Sequence, residues 1–210
     1  MYFAIEGVIG VGKTTLARLL QRAFQAEICL EVFEENPFLA SFYQDRERYA
    51  FQTQMFFLLS RYHQQRREVP GVLQRGQSLI ADYTFDKDAI FARINLHGDE
   101  LEMYGRIHEA LAEKIPQPDL IVYLRAGTDV LMERIALRDR PYERDMQKAY
   151  IDRLNRTYDE FFAERERSLA VLTIDTSDVD FIHDALQVEA IADRIRQGLK
   201  LPPYQVGLPL

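Results

Sequence analysis

Apolar residues gather in short runs at Tyr2–Ile5, Ile28–Val32, Ser78–Ala81, Leu120–Leu124 and Val171–Ile174. Runs of this length, bounded by polar or Gly-containing segments, predict β-strands. The segments between them carry apolar positions at helical spacing instead. After the first run, Leu16, Ala17, Leu19, Leu20 and Ala23 form one apolar face. A second helix follows the Asn36-Pro37 turn, and the longest runs from Glu47 to about Val69. That long helix is aromatic-rich (Tyr49, Phe51, Phe56, Phe57, Tyr62), with Phe51, Met55, Leu58 and Tyr62 as its apolar stripe. Gln54 and Arg61, seven residues apart, share its flank. Further helices pass through Ile90, Phe91 and Ile94, and through Arg134 and Arg138 to a stop at Pro141. Alternating strands and helices predict an α/β fold: a five-stranded parallel sheet flanked by helices.

Composition narrows this picture. A chain of 210 residues, 47% hydrophobic and 28% charged, fits one globular domain over residues 1–200, followed by a Pro-rich tail over 201–210. The net charge of −7 argues against nucleic acid as a partner, so a phosphate site must be a local concentration of Lys and Arg. The single cysteine, Cys29, permits no internal disulfide and reads as a buried, inert thiol in a reduced compartment. There is no charged-then-apolar leader and no apolar run of membrane-spanning length, which leads us to expect a cytoplasmic protein with no membrane partner.

Ligands of parallel α/β sheets bind beyond the carboxyl ends of the strands. There the sequence places Gly7 to Thr14, Glu31, Asp82, Arg125 and Asp175. Gly7-Val-Ile-Gly10-Val11-Gly12-Lys13-Thr14, followed by Thr15, fits the phosphate-binding pattern G-x-x-x-x-G-K-[ST], between a strand and a helix as that loop requires. Its amides would surround phosphate oxygens, Lys13 would reach the terminal phosphates, and Thr14 would offer a hydroxyl to the Mg2+ accompanying ATP. Glu31 could accept a proton from an attacking hydroxyl; the alternative is a solvated acidic loop with Glu34 and Glu35. Gln54 and Arg61 could read the edge of a heterocycle, or lie at a solvent edge on snorkelling stems. Asp82 suits a magnesium carboxylate, and Asp86 or Asp88 could cap the following helix. Arg134, Arg138 and Arg140 suit a lid at about 138–146 closing on a transferring phosphoryl group. Alternatively they pair on the surface with Glu133, Asp139, Glu143 and Asp145. The polar loop Asp175 to Phe181, with Asp180, could cradle a nucleotide base.

Taken in order, these residues resemble the deoxynucleoside kinase family over nearly the whole chain. The likeness is carried by Gly7–Thr14, Glu31-Val-Phe, Tyr43, Phe51-Gln-Thr-Gln54 with Leu59-Ser-Arg61, Asp82, Ile90-Phe-Ala92, Arg134 with Arg138-x-Arg140 and Glu143, and Leu172-Thr-Ile-Asp175. Glu35-Asn-Pro-Phe-Leu-x-x-Phe-Tyr43 looks like the bacterial deoxyadenosine/deoxyguanosine kinases in particular. The resemblance implies a P-loop kinase fold and ATP-dependent phosphorylation of a deoxyribonucleoside 5′-hydroxyl in nucleotide salvage. It further implies Glu31 as general base, with Gln54, Arg61 and either Asp86 or Asp88 reading the base and Phe91 packing on it. Tyr43 and Glu143 would hold the sugar, Arg134, Arg138 and Arg140 would form the lid, and Asp175 to Phe181 would enclose the adenine of ATP. The family likeness and the aromatic long helix together imply a helix-packed homodimer.

Two departures from the family pattern stand out. Tyr83 occupies the place of an arginine, so Lys87 or a lid arginine substitutes, or phosphoryl stabilisation is weaker. The loop to Phe91 is one residue shorter than in the animal enzymes, which leaves Asp86 and Asp88 open. The rival readings are a thymidylate-type nucleoside monophosphate kinase and a nucleotide-binding regulatory subunit. A carboxylate at Glu31 would repel an acceptor phosphate, which weighs against the first; Tyr83 is the only hint of the second. A switch GTPase is disfavoured by the absence of D-x-x-G after the third strand and of N-K-x-D.

Overall fold

The structure, a computed structural model, describes residues 1–32, 35–165 and 169–202. Phe33, Glu34 and most of the Pro-rich tail, 203–210, lie outside the described residues. Five strands, β1 (Tyr2–Gly7), β2 (Ala26–Cys29), β3 (Ser78–Ala81), β4 (Leu120–Arg125) and β5 (Val171–Asp175), form one parallel sheet in the order β2-β3-β1-β4-β5. The helices are α1 (Lys13–Phe24), α2 (Leu39–Gln44), α3 (Arg46–Gln74), α4 (Asp86–Asn95), α5 (Gly98–Ala112), α6 (Thr128–Arg138), α7 (Lys148–Arg165) and α8 (Ala185–Gly198). A short 3-10 turn, Pro141–Glu143, separates α6 from α7.

β1 is buried along its whole length because it is the central strand, paired to β3 on one side and β4 on the other. Its alternating side chains serve two layers. Phe3 points to α1, where its ring meets Phe24 edge-on with centroids 5.0 Å apart. Tyr2 and Ala4 face the opposite layer and join Val69 and Val72 of α3. On that same side Tyr123 of β4 stacks on Phe162 of α7 at 4.3 Å. The chain leaves β1 for β2 on one side of the sheet and crosses after β3 to the other, so the loops diverge at the carboxyl end of β1 and open a crevice there.

Three boundaries differ from expectation. β2 is Ala26–Cys29 rather than Ile28–Val32, since its only partner, β3, ends at Ala81, opposite Cys29. Glu31 therefore sits beyond the strand, in irregular chain. α3 continues past Val69, through Pro70, to Gln74. The carbonyl that loses its partner at Pro70 belongs to Arg66, an exposed residue, so water can satisfy it. α6 ends at Arg138 because Asp139 adopts a left-handed conformation (φ 48°), two residues before Pro141. On α1, Leu16, Ala17 and Leu20 are buried as the apolar face requires, whereas Leu19 is 42% exposed.

Leu16→Ala should therefore cost about 2–5 kcal/mol through loss of burial and the cavity left behind, whereas the exposed Leu19→Ala should change stability by about 0.5 kcal/mol or less. Chemical denaturation midpoints of the two variants check the contrast.

Candidate active site

The phosphate loop takes its shape from three glycines at positive φ, Gly7, Gly10 and Gly12. Gly7 closes β1 at φ 144°, where a Cβ would come within 2.4 Å of the Leu124 carbonyl oxygen. Gly12 precedes α1 at φ 103°, and a Cβ there would meet the Phe181 ring at 2.6 Å. Any larger residue would displace the neighbouring strand or the loop after β5. Lys13 donates from Nζ to the carbonyls of Gly7 (2.7 Å) and Val8 (3.0 Å), which holds its ammonium over the loop. Burial, and next the charge of Lys87, push its pKa down to about 8. Thr14, on the first turn of α1, donates to Oδ2 of Asp82 at 2.5 Å, and Oδ1 of Asp82 accepts the Glu31 backbone N–H at 2.7 Å. The hydroxyl and carboxylate are hard oxygen donors of the kind Mg2+ takes. Among the described residues no three His, Cys, Asp or Glu side chains cluster, so an ion here would draw its remaining ligands from water and phosphate.

Opposite this loop, α3 presents Gln54, Phe57 and Arg61 on one face. Gln54 and Arg61 are 2% and 5% exposed, which overturns the solvent-edge alternative. Arg61 stacks 4.6 Å over the Phe57 ring, pairs through Nε and Nη2 with Glu31 Oε1, and through Nη1 with Asp88. Lys87 closes the group with an ammonium on Glu31 Oε2. Burial alone would raise the Glu31 carboxyl; Lys87 and then Arg61 outweigh it and hold Glu31 well below the usual carboxylate range. Glu31 is thus an ion-paired wall of the cleft, not a solvated acid, while Glu35 is exposed. Gln54 Oε1 is buried with no hydrogen bond among the described residues.

Asp86 and Asp88 separate cleanly. α4 starts after Phe85 with no side-chain cap, so neither aspartate serves as the expected cap. Asp88 is fully buried behind Arg61 and Asp86 is half-buried; neither lines the cleft. Tyr83 is fully buried and donates its hydroxyl to Gln64 Oε1 (2.7 Å), with Gln64 also bonded to the Leu30 carbonyl. Cys29 lies in the same buried group and donates to Glu68; burial pushes its thiol pKa up, the inert behaviour expected.

The cleft of about 960 Å3 is completed from α6 and the segment after it. Arg134, Arg138 and Arg140 all line it, with Tyr43 and Glu143. Arg134 differs from its companions. Its guanidinium donates to the Thr176 carbonyl (2.6 Å), the Val179 carbonyl (3.1 Å), the Thr176 hydroxyl (3.1 Å) and the Val11 carbonyl (3.4 Å). It ties the loop after β5 to the phosphate loop instead of belonging to a movable lid. Arg138 pairs with Glu143 at 2.6 Å and Arg140 with the same carboxylate at 3.7 Å, so the pairing alternative holds for both, on a buried Glu143 at the wall of the cleft. Tyr43 stacks on Tyr142 with centroids 6.0 Å apart. Phe91, Asp180 and Phe181 line the cleft; Asp175 does not. Asp175 is exposed at the end of β5 and accepts the Ser177 N–H at 2.9 Å, which stabilises the turn. Arg125 is likewise spent elsewhere, on Asp159 at 2.7 Å.

Phe57 and Tyr142 line the cleft and Glu6 lies buried in β1, none of them marked by a motif in the sequence. Phe57 lies between Gln54 and Arg61 on the same helical face, a usable signal, but in the sequence it stands only as one of several aromatics on the long helix. Tyr142 adjoins Glu143 and gave no separate sign. Glu6 is fully buried on β1 with Oε1 accepting the Thr84 N–H at 3.2 Å, and burial raises its pKa to about 7 against Lys87 and Lys13. Its position in an apolar strand hid it.

The chain matches the family model for deoxynucleoside kinase over residues 3–200. It is 37% identical over 199 residues to a deoxyguanosine kinase of Bacillus subtilis, covering 93% of this chain and 96% of that one. It is 31% identical over 212 residues to a deoxyadenosine kinase of Dictyostelium discoideum, covering 98% and 85%. Among solved structures, the deoxyadenosine kinase from M. mycoides with the products dCMP and a flexible dCDP superimposes with a TM-score of 0.81 at 26% identity, over 94% of this chain and 99% of that one. The same enzyme with bound dATP gives a TM-score of 0.80 at 25% identity, over 93% and 99%. A central P-loop, a paired carboxylate facing it across one cleft and these matches agree: the chain belongs to the deoxynucleoside kinase family.

Proposed function

We propose that the protein transfers the γ-phosphate of Mg-ATP to the 5′-hydroxyl of a purine deoxyribonucleoside, in salvage of deoxyguanosine and deoxyadenosine. The observation that carries this reading is the single cleft in which Lys13, Thr14 and Asp82 face Glu31, Gln54 and Arg61. On this reading ATP lies along Gly7 to Thr15, with its adenine near Asp180 and Phe181. A magnesium ion held at Thr14 and Asp82, when bound, would supply charge to the β- and γ-phosphate oxygens. Glu31 accepts the 5′-hydroxyl proton, held in place by Arg61 and by the Asp82 bond to its backbone. Lys13, Arg138 and Arg140 stabilise charge on the transferring group, while Arg134 positions the loop around the donor. Tyr43 and Glu143 hold the sugar hydroxyl, and Phe57 and Phe91 flank the base. The unpaired Gln54 Oε1 accepts from an amino or ring N–H of the base, and Arg61 donates to a ring nitrogen or carbonyl. Asp88, not Asp86, orients Arg61 for that contact.

We read residues 1–200 as one catalytic domain with a lid over 138–146, and the unpaired thiol as consistent with a cytoplasmic setting. The exposed Leu59 on α3 and Met103 on the adjoining α5 support the homodimer reading. Sedimentation should then give twice the 24.6 kDa chain mass.

With γ-labelled ATP, label should pass to deoxyguanosine or deoxyadenosine and not to their monophosphates; transfer to the monophosphates would overturn the reading. Glu31→Gln should lower kcat by about two to four orders of magnitude, with ATP binding, followed by calorimetry, nearly unchanged. Asp88→Asn should destabilise the fold by about 3 kcal/mol, because Arg61 then keeps Glu31 alone as its counter-charge, and should raise the nucleoside KM. Asp86→Asn should stay within about 0.5 kcal/mol.

A further inference from the structure

The cations lining the cleft differ in how firmly they are engaged. Arg134 is bound to three backbone carbonyls and a hydroxyl. Arg61 is locked between Glu31, Asp88 and the Phe57 ring. Arg138 and Arg140 share Glu143. Lys87, on the first turn of α4, is 6% exposed and lines the cleft. Its ammonium bonds to Oε2 of Glu31 and lies 5.9 Å from the Phe91 ring centroid.

That ammonium opens onto the cleft that the two halves of the site share. It lines the same cleft as Lys13 and Thr14 of the phosphate loop and touches Glu31 directly, and its charge acts on Glu31, Glu6 and Lys13. A phosphoryl group passing from ATP to a hydroxyl at Glu31 has to cross this space. A lysine ammonium is a compact charge on a flexible four-carbon stem with three rotatable donors, so it can change partners where the forked, doubly held Arg61 cannot. Nor does Tyr83, turned away and bonded to Gln64, bring charge to this wall.

We propose that Lys87 is a catalytic residue: its ammonium holds Glu31 before the acceptor binds, then engages the non-bridging oxygens of the γ-phosphoryl group during transfer. This rests on the phosphoryl transfer proposed above. In that step the bond from the γ-phosphorus to the β,γ-bridging oxygen breaks, its electron pair leaving with ADP. A bond forms from the 5′-oxygen to phosphorus, and the hydroxyl proton goes to Glu31. Lys87 gives up no proton and contributes only charge and hydrogen bonds.

The test is a double-mutant cycle of Lys87→Met and Glu31→Gln, with Lys87→Arg as the charge-retaining variant. Lys87→Met should lower kcat by about 100- to 1,000-fold, the cost of removing one donor to developing charge, with both KM values within about fivefold of wild type. Lys87→Arg should recover at least about tenfold of that loss. The double variant should be slower than Glu31→Gln alone by nearly the full Lys87→Met factor, because the two side chains then act on different atoms. Lys87→Gln serves in the same cycle if thermal melting shows Lys87→Met unfolded at the assay temperature. The inference is overturned if Lys87→Met keeps kcat within about threefold, or if the double variant is no slower than Glu31→Gln, which would make Lys87 only a partner of Glu31. Wild-type protein that phosphorylates no deoxynucleoside overturns the reaction assignment as well; active wild type with an unaffected Lys87→Met overturns this inference alone.

Discussion

One carboxylate, Asp82, joins the two halves of this molecule. It leaves the end of β3 with one oxygen on the Thr14 hydroxyl and the other on the Glu31 backbone N–H. The first contact fixes it to the helix that follows the phosphate loop. The second fixes where Glu31 stands once β2 has ended. Glu31 lies beyond the last ladder pair of its strand, so without this bond its backbone would have no sheet partner to hold it. The spacing between the phosphate loop and Glu31 is thereby tied to the parallel pairing of β1 with β3.

Around that link, charge is balanced locally. The protein is acidic overall, yet its cleft gathers Lys13, Arg61, Lys87, Arg134, Arg138 and Arg140. Gathering so many cations, two of them buried (Arg61 and Lys87), is tolerable because each faces a carboxylate or a set of carbonyls, and unpaired buried charge is costly. Glu31 takes two of them, Asp88 steadies one of those two, and Glu143 takes two more. Anionic phosphates entering this cleft compete with those internal partners. The cations that can exchange, on flexible stems or on the short turn after α6, differ from those that cannot. Arg134, with four backbone and hydroxyl acceptors, belongs to the frame.

Packing divides the molecule into two unlike layers. The layer formed by α1 and α8 with Phe3 and Ile5 buries ordinary apolar surface. The opposite layer, toward α3, α4 and α7, carries the polar residues Glu6, Gln54, Arg61 and Asp88 within an aromatic surround. In such a low-polarity setting each hydrogen bond and ion pair is stronger, and each missing one costs more. That is why Asp88 and Asp86, two residues apart, have such different environments.

Much of this could be read from the residues. Apolar periodicity is local and repeats along the chain, so five parallel strands, the long α3 and the phosphate loop were legible, as were Glu31, Asp82 and the arginine series as candidates. Boundaries failed where a partner decided them: β2 stops because β3 does, and α3 passes Pro70 because the freed carbonyl can face water. Which aspartate backs Arg61, whether Gln54 is buried, and that Arg134 is clamped while Lys87 pairs with Glu31 in the cleft could not be read. Each depends on residues dozens of positions away, and spacing along one helix says nothing about what stands across the cleft. Sequence determined the chemistry available and the order of the elements; tertiary structure decided which charges meet, because burial and pairing are properties of neighbours in space.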